Sequence, residues 1–327
     1  MKKIIFVVFL FVSFISFSQD IVYPYPVNYF NINIEGQNAK MAFMDVKPST
    51  ANGKTVLLFH GKNFNGYYWK DVIPFLTKAG YRVIVPDQIG WGKSSKPILH
   101  YNFFMLANNN AKLLDSLRIK KVIVVAHSMG GMLATRFSLM FKEKVQKLVL
   151  ENPIGLEDYS AFVPYKPLDE LYKNELNQTY ESTKKYQQSY YPAWKEEYEP
   201  YVKAQAEQLK DTNFAQTAMV NAITYQMIYE QPVVYSFDSL RVPTLLIIGQ
   251  ADRTVVGKNN LSNEQKKIYG NYPLLGRKTN AHIKGSKLVE IPGVGHIPHI
   301  QVPAIYRQKL LSFLDDNKDK SNAANKN

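Results

Sequence analysis

The chain has 327 residues, 46% of them hydrophobic, no cysteine, and a formal net charge of +13. That length and apolar share suit one large domain with a sizeable buried core and exclude a disordered or fibrous chain. Without cysteine there is neither a disulfide framework nor a thiol nucleophile. The basic excess is spread out. Residues 153–235 hold 12 Asp and Glu against 7 Lys and Arg, leaving 33 basic and 15 acidic residues elsewhere. No Arg-rich helix or aromatic-basic repeat gathers the charge, so it reads as solvated surface and no nucleic-acid partner is expected.

In chain order, the basic start Met1-Lys2-Lys3, the apolar run Ile4 to Phe17 and the small residues around Ser18 predict a secretory signal peptide over 1–18. The run is too short to remain as a spanning helix, so a periplasmic or secreted protein is expected, with no stable membrane insertion after signal removal. An uncleaved anchor is the competing reading. Residues 21–31, rich in Tyr and Pro, read as extended surface chain. Asn31–Ile34 and Lys40–Val46 alternate and predict a hairpin around Glu35-Gly36. Lys54–Phe59 is a continuous apolar strand of the kind buried on both faces of a parallel sheet. A helix over Tyr67–Ala79, closed by Gly80, and a strand over Tyr81–Val85 follow. The loop Asp87 to Ser94 sets two glycines around Trp91 and reads as tightly packed. A helix over Tyr101–Leu117, a strand over Lys121–Ala126, a helix over Met129–Phe141 and a strand over Val145–Leu150 continue the alternation, which argues for a right-handed, mostly parallel sheet.

The pattern then changes. Residues 153–235 show no strand-like run and are broken by prolines at 164, 167, 192, 200 and 232, as an inserted helical segment would be. Strands over Val242–Ile248 and Lys287–Ile291 and a helix over Val302–Phe313 resume the earlier pattern. Polar residues 317–327 predict a disordered tail. The expected architecture is an α/β fold: a mostly parallel, eight-stranded twisted sheet with helices on both faces. Residues 19–152 and 236–316 form its core, and the helical cap 153–235 is inserted after the sixth strand.

The most informative stretch is Val122-Ile-Val-Val-Ala-His-Ser128-Met-Gly-Gly131. A buried strand runs into a sharp glycine turn and a helix, which pushes the Ser128 hydroxyl into the open. The small-residue pattern around such a serine is usually G-x-S-x-G, and Ala126 stands here in the first glycine place. A serine hydroxyl needs a base, and the base needs a partner that fixes its tautomer. Gly293-Val-Gly295-His296 places a histidine on a glycine-flanked loop after the last strand. Gly249-Gln-Ala-Asp252 places a carboxylate in the same way after the preceding strand. Glu151, at another strand end, is the alternative acid. His127 is expected to point into the fold and His299 to lie on the surface or behind the site. Asp87, Gly90, Gly92 and His60 are read as shaping loops. No cluster has metal-ligand spacing and no Gly-rich loop suggests phosphate binding, so neither metal nor cofactor is expected.

With its His60-Gly61 strand end, Asp87-x-x-Gly90-x-Gly92-x-Ser94 loop, serine elbow, insertion after Leu150 and late Asp252 and His296 loops, the chain resembles the α/β-hydrolase superfamily, in its cap-bearing serine hydrolase branch. The resemblance implies Ser128 as nucleophile, His296 as general base, Asp252 as orienting acid, and backbone N–H groups of Lys62 and Met129 as an oxyanion hole. It also implies a small-molecule ester substrate cleaved through an acyl-enzyme. An amide, short peptide or lactone substrate, as in iminopeptidase-like relatives, is one alternative, and a non-catalytic binding protein on the same fold is another. The cap aromatics Tyr159, Phe162, Tyr165, Tyr190, Tyr191, Trp194, Tyr225 and Tyr229 are expected to line an apolar pocket in part. The cap's negative balance would favour neutral or cationic substrates if its acids faced the cleft.

Overall fold

The computed structural model describes residues 21–315, and the expected signal peptide and C-terminal tail lie outside the described residues. Eight strands form one sheet in the order β1-β2-β4-β3-β5-β6-β7-β8. They are β1 (Val27–Ile34), β2 (Gln37–Val46), β3 (Thr55–Phe59), β4 (Arg82–Pro86), β5 (Val122–His127), β6 (Val145–Glu151), β7 (Thr244–Gly249) and β8 (Lys287–Ile291). β2 runs antiparallel to β1 and β4, and every other pairing is parallel. Glu35 and Gly36 turn the opening hairpin with φ of 50° and 78°, the pair of positive values that matches the twist of the flanking strands.

The central strands are continuous apolar runs because both faces are covered. Leu57, Phe59, Val124, Ala126, Leu148, Leu150, Leu246 and Ile248 enter one hydrophobic cluster. Their neighbours Val56, Leu58, Ile123, Val125, Val149, Leu245 and Ile247 enter the other, as alternation along a strand requires. The first cluster is closed by α2 (Phe103–Ser116), α3 (Met129–Met140) and, later in the chain, a helix at Tyr272–His282; the second by α1 (Ile73–Lys78) and the C-terminal helix at Pro303–Asp315.

Between β6 and β7 lie α4 (Leu168–Leu176), α5 (Tyr180–Gln188), α6 (Glu199–Ala206) and α7 (Phe214–Glu230), with no strand among them. α4 packs on α7 and α5 on α6. Tyr190, Tyr191, Tyr198 and Tyr201 of this segment join the second cluster, and Val220, Met227 and Ile228 join the first, so the insertion is continuous with both cores.

Two expectations need correction. The single helix expected over Tyr67–Ala79 is divided into a 3-10 turn at Gly66–Trp69 and α1. Pro74 has no N–H to give a preceding turn and is tolerated only in the first turn of a helix, so α1 begins around it. Between β7 and β8 the chain also forms α8 (Asn263–Ile268) and α9 (Tyr272–His282), where no helix was expected. α8 opens on a capping box between Ser262 and Gln265. In α9, Gly276 lets the helix lie close on β7, where an added Cβ would come 2.9 Å from Ile248 Cγ1. Two helices end the described residues, α10 (Pro298–Gln301) and α11 (Pro303–Asp315).

Candidate active site

Parallel pairing places the carboxyl ends of β3, β5, β6, β7 and β8 along one edge of the sheet, with Phe59 level with Ala126, His127 with Glu151 and Gly249 with Ile291. Side chains leaving those ends therefore converge, which is where open α/β sheets place their ligands.

Ser128 leaves β5 with φ 56° and ψ −124°, in the left-handed region that a non-glycine residue adopts only when its surroundings enforce it. They do so here. Its N–H donates to the Glu151 carbonyl at 3.2 Å, and its own carbonyl accepts from Gly131 and Ile154 at 2.8 and 3.2 Å. The close approach that a nucleophile elbow demands is met on the helical side: a Cβ at Gly130 would collide with the Phe59 carbonyl, and one at Gly131 with Pro153. Ala126 is wholly buried in the layer beneath α3, and its methyl fits there.

The three side chains named from the sequence come together. His296 Nε2 lies 2.9 Å from Ser128 Oγ, and His296 Nδ1 lies 2.7 Å from Asp252 Oδ2. Because a carboxylate only accepts, Nδ1 carries the hydrogen and Nε2 faces the hydroxyl with its lone pair when the ring is neutral. Asp252 also accepts from the Thr254 N–H at 2.8 Å and from Asn152 Nδ2 at 2.7 Å. Burial by itself raises the pKa of Asp252 and is the largest single influence. The His296 charge and the hydrogen bonds from His296, Thr254 and Asn152 together outweigh it and hold the carboxyl below its ordinary value. Asn152, which sequence reasoning missed, has a φ of 34° and clamps two neighbours, since its Oδ1 accepts the Gly249 N–H at 2.9 Å. Its signal in the sequence was its place directly after a strand end, next to the rival acid.

The loop after β3 approaches from the other side. An added Cβ at Gly61 would lie 2.9 Å from Ser128 Cβ, so only glycine lets this backbone pass the serine. The Lys62 carbonyl accepts from Trp91 Nε1 at 2.6 Å, which ties this loop to the Asp87–Ser94 loop. His60 Nε2 accepts from the Gln88 N–H and its Nδ1 donates to the Gly61 carbonyl, so the ring is a neutral tie between two loops. Burial, partly opposed by the Asp87 charge, lowers its pKa. Asp87 accepts from the Gly66 and Lys93 N–H groups and from the Tyr23 hydroxyl, and a Cβ at Gly92 would strike its carboxylate.

Other assignments separate. Glu151 does not reach His296; its carboxylate accepts from the N–H and Nδ1 of His299 at 2.7 to 3.0 Å. Of the two places expected for His299, the structure takes the one behind the site: it is buried against Trp69, ring centroids 4.5 Å apart. Tyr190 of the cap stacks on His296 at 4.7 Å, and its carbonyl accepts the His296 N–H at 2.8 Å. Ser128, Asp252 and His296 are 5%, 2% and 0% exposed beneath this cover.

A cleft of about 380 Å³ opens beside Lys62 between core and cap. None of the eight cap aromatics lines this cleft, which touches neither Ser128 nor His296, and Tyr159, Tyr190 and Tyr191 are packed in the interior, as expected for part of the set. Asn63, Trp91, Gln208 and Asn221 are among its walls. Cap acids do face it, but Glu175 lies 3.7 Å from Lys62 and Asp211 3.7 Å from Lys96, so their charge is offset locally.

Strand order, elbow and convergent side chains define a hydrolase of the α/β class. The chain belongs to the alpha/beta hydrolase fold family, which matches residues 54–303. It is 44% identical to a probable hydrolytic enzyme from Pseudomonas aeruginosa PAO1 whose crystal structure superposes with a TM-score of 0.88, over 90% of this chain and 96% of that one. Among curated relatives, an uncharacterized protein of Mycobacterium tuberculosis H37Rv is 36% identical over 105 residues, which are 32% of this chain and 30% of the relative. A haloalkane dehalogenase of Mycobacterium marinum is 26% identical over 159 residues, 45% of this chain and 53% of the relative. The chain thus spans only 30% and 53% of the length of these two curated relatives.

Proposed function

We propose that the protein cleaves a small carboxylic ester through an acyl-enzyme on Ser128. The observation that carries this is the hydrogen-bonded line from Ser128 Oγ through His296 to Asp252, at 2.9 and 2.7 Å, on a serine held at positive φ. Ser128 Oγ adds to the acyl carbon while His296 Nε2 takes its proton, and Asp252 stabilises the imidazolium that results. The N–H groups of Met129 and Lys62 receive the oxyanion. Collapse of the tetrahedral adduct breaks the ester C–O bond, and His296 returns the proton to the leaving alkoxide. Water, deprotonated by His296, then adds to the acyl carbon and releases the acid and the free serine.

A hydroxyl nucleophile favours acyl transfer over the chemistry named for the dehalogenase relative, since displacing halide through an alkyl-enzyme ester calls for a carboxylate at this place. The cleft reaches the site only at the Lys62-Asn63-Phe64 loop, and its volume of about 380 Å³ favours a small ester over one with a long alkyl chain. Hydrolysis of p-nitrophenyl acetate, butyrate and laurate and of aminoacyl-anilides by wild type and Ser128→Ala tests the reading. Faster turnover of the short esters, lost with Ser128→Ala, supports it. Wild-type rates in Ser128→Ala overturn the nucleophile, and a wide preference for anilides overturns the ester.

A further inference from the structure

Behind the Ser128–His296–Asp252 line lies a second set of buried polar atoms. His127 Nε2 is 2.8 Å from the carbonyl oxygen of His296. His127 Nδ1 is 3.1 Å from the Tyr68 hydroxyl, which is itself 3.2 Å from the Gly61 nitrogen. Elementary donor and acceptor rules give each bond a direction. A carbonyl only accepts, so Nε2 of His127 carries a hydrogen. Burial, reinforced by the charges of His296 and His299, drives the pKa of His127 well down, which leaves the ring neutral and Nδ1 an acceptor. The Tyr68 hydroxyl therefore donates its hydrogen to Nδ1 and accepts the Gly61 N–H. Phe64, stacked on Tyr68 at 4.5 Å, packs against this chain from the side.

We propose that His127 is a positioning residue: the chain Gly61 N–H to Tyr68 to His127 to the His296 carbonyl sets the spacing between the Gly61-Lys62 loop and the base, across the backbone that bears Ser128. Three loops, after β3, β5 and β8, are joined by one neutral ring. A shift of Gly61 moves the Lys62 amide, because that backbone already passes Ser128 at the closest approach glycine allows. A shift of the His296 backbone tilts Nε2 off the hydroxyl, and misplacement by about 1 Å can cost on the order of 100-fold in rate.

The inference rests on the proposed roles of Ser128 and His296, and its test separates the two. Tyr68→Phe, His127→Leu and His127→Gln are compared with wild type in p-nitrophenyl acetate hydrolysis and thermal unfolding. Tyr68→Phe and His127→Leu are expected to lower kcat by roughly 10- to 100-fold with KM changed less than about threefold. His127→Gln keeps one donor and one acceptor on its amide and is expected to recover kcat to within about fivefold of wild type. Wild-type kcat in Tyr68→Phe, or a glutamine variant no better than the leucine one, overturns the proposal. Tyr68→Phe removes one oxygen from a packed ring, so it decides the matter even if His127→Leu does not fold. Nitrogen NMR of the wild-type protein reads the chain without any turnover. His127 is expected to show a hydrogen on Nε2 and none on Nδ1 from pH 6 to 8, and the opposite tautomer overturns the proposal. A wild-type protein that hydrolyses no ester would contradict the ester reading, and this spectrum would still decide the His127 chain.

Discussion

Asn152 donates its side-chain N–H to Asp252 Oδ2, the same oxygen that holds His296 Nδ1, at 2.7 Å in both cases. One carboxylate oxygen thus serves both contacts, while Oδ1 is taken by the Thr254 N–H. The carboxylate is locked in rotation, and with it the plane of the imidazole.

Asp252 and Glu151 should therefore separate cleanly. Asp252→Asn is expected to lower kcat by about 10³-fold or more, since an amide at this place can leave the imidazole in the wrong tautomer, and to lower stability by about 1–3 kcal/mol, since its NH2 meets buried donors. Glu151→Gln is expected to affect stability alone. It sets a donor against the donors of His299 and should lower stability by about 1–3 kcal/mol while kcat stays within several-fold of wild type. Asn152→Ala should fall between, with kcat down roughly tenfold. Steady-state kinetics and urea unfolding of the three variants check this, and a larger kcat loss in Glu151→Gln than in Asp252→Asn contradicts it.

The elbow's departure from the usual small-residue pattern gives a second expectation. Ala126→Gly should not tighten the elbow. It removes a wholly buried methyl and adds backbone freedom within a strand, at a cost of roughly 1 kcal/mol. Gly130→Ala drives a Cβ into the Phe59 carbonyl and should cost more, on the order of 1–3 kcal/mol, with a matching loss of ester hydrolysis. An unfolding midpoint of Ala126→Gly above wild type, with Gly130→Ala unchanged, would show that the close approach lies at 126 instead.

Stability should fall as the solution is made mildly acidic. His60 and His127 are held neutral by burial, with folded pKa values below the ordinary one. An unfolded histidine takes up a proton near pH 6.5, so below that value the unfolded chain binds protons that the folded chain refuses. The stability is whole above about pH 7 and declines by about 1.4 kcal/mol per pH unit for each such ring. Asp252 acts in a lower window: its depressed pKa gives stability that is present above the ordinary aspartate value and is lost only as pH falls through the folded one. Urea unfolding at pH 8, 7, 6 and 5.5 reads the histidine window, and a flat free energy contradicts it.

Much of this was legible in the sequence because strand ends in a parallel sheet converge, so residues just past β5, β7 and β8 could be grouped before any distance was known. Ser128, Asp252 and His296 each stand in such a place. Asn152 stands in one too, but an asparagine after a strand is more often a turn residue, and nothing local marks its amide as aimed at Asp252. For His299 surface and buried placements both stayed open, because its burial depends on α10 folding back over Trp69, a contact between residues more than two hundred positions apart. Which cap aromatics pack in the core stayed open for a related reason: aromatic content says that a surface is buried, and not whether protein or substrate buries it. The helix α8 could have been found from the Ser262-to-Gln265 capping box alone.

The central claim is that Ser128 Oγ, aligned on His296 Nε2, is an activated nucleophile. Incubation of the folded protein with a fluorophosphonate probe, followed by intact mass and peptide mapping, tests it most directly. One phosphonyl adduct on Ser128, absent in Ser128→Ala and strongly slowed in Asp252→Asn, is the predicted result. A folded protein that stays unlabelled at Ser128, or takes the adduct at another residue, contradicts it.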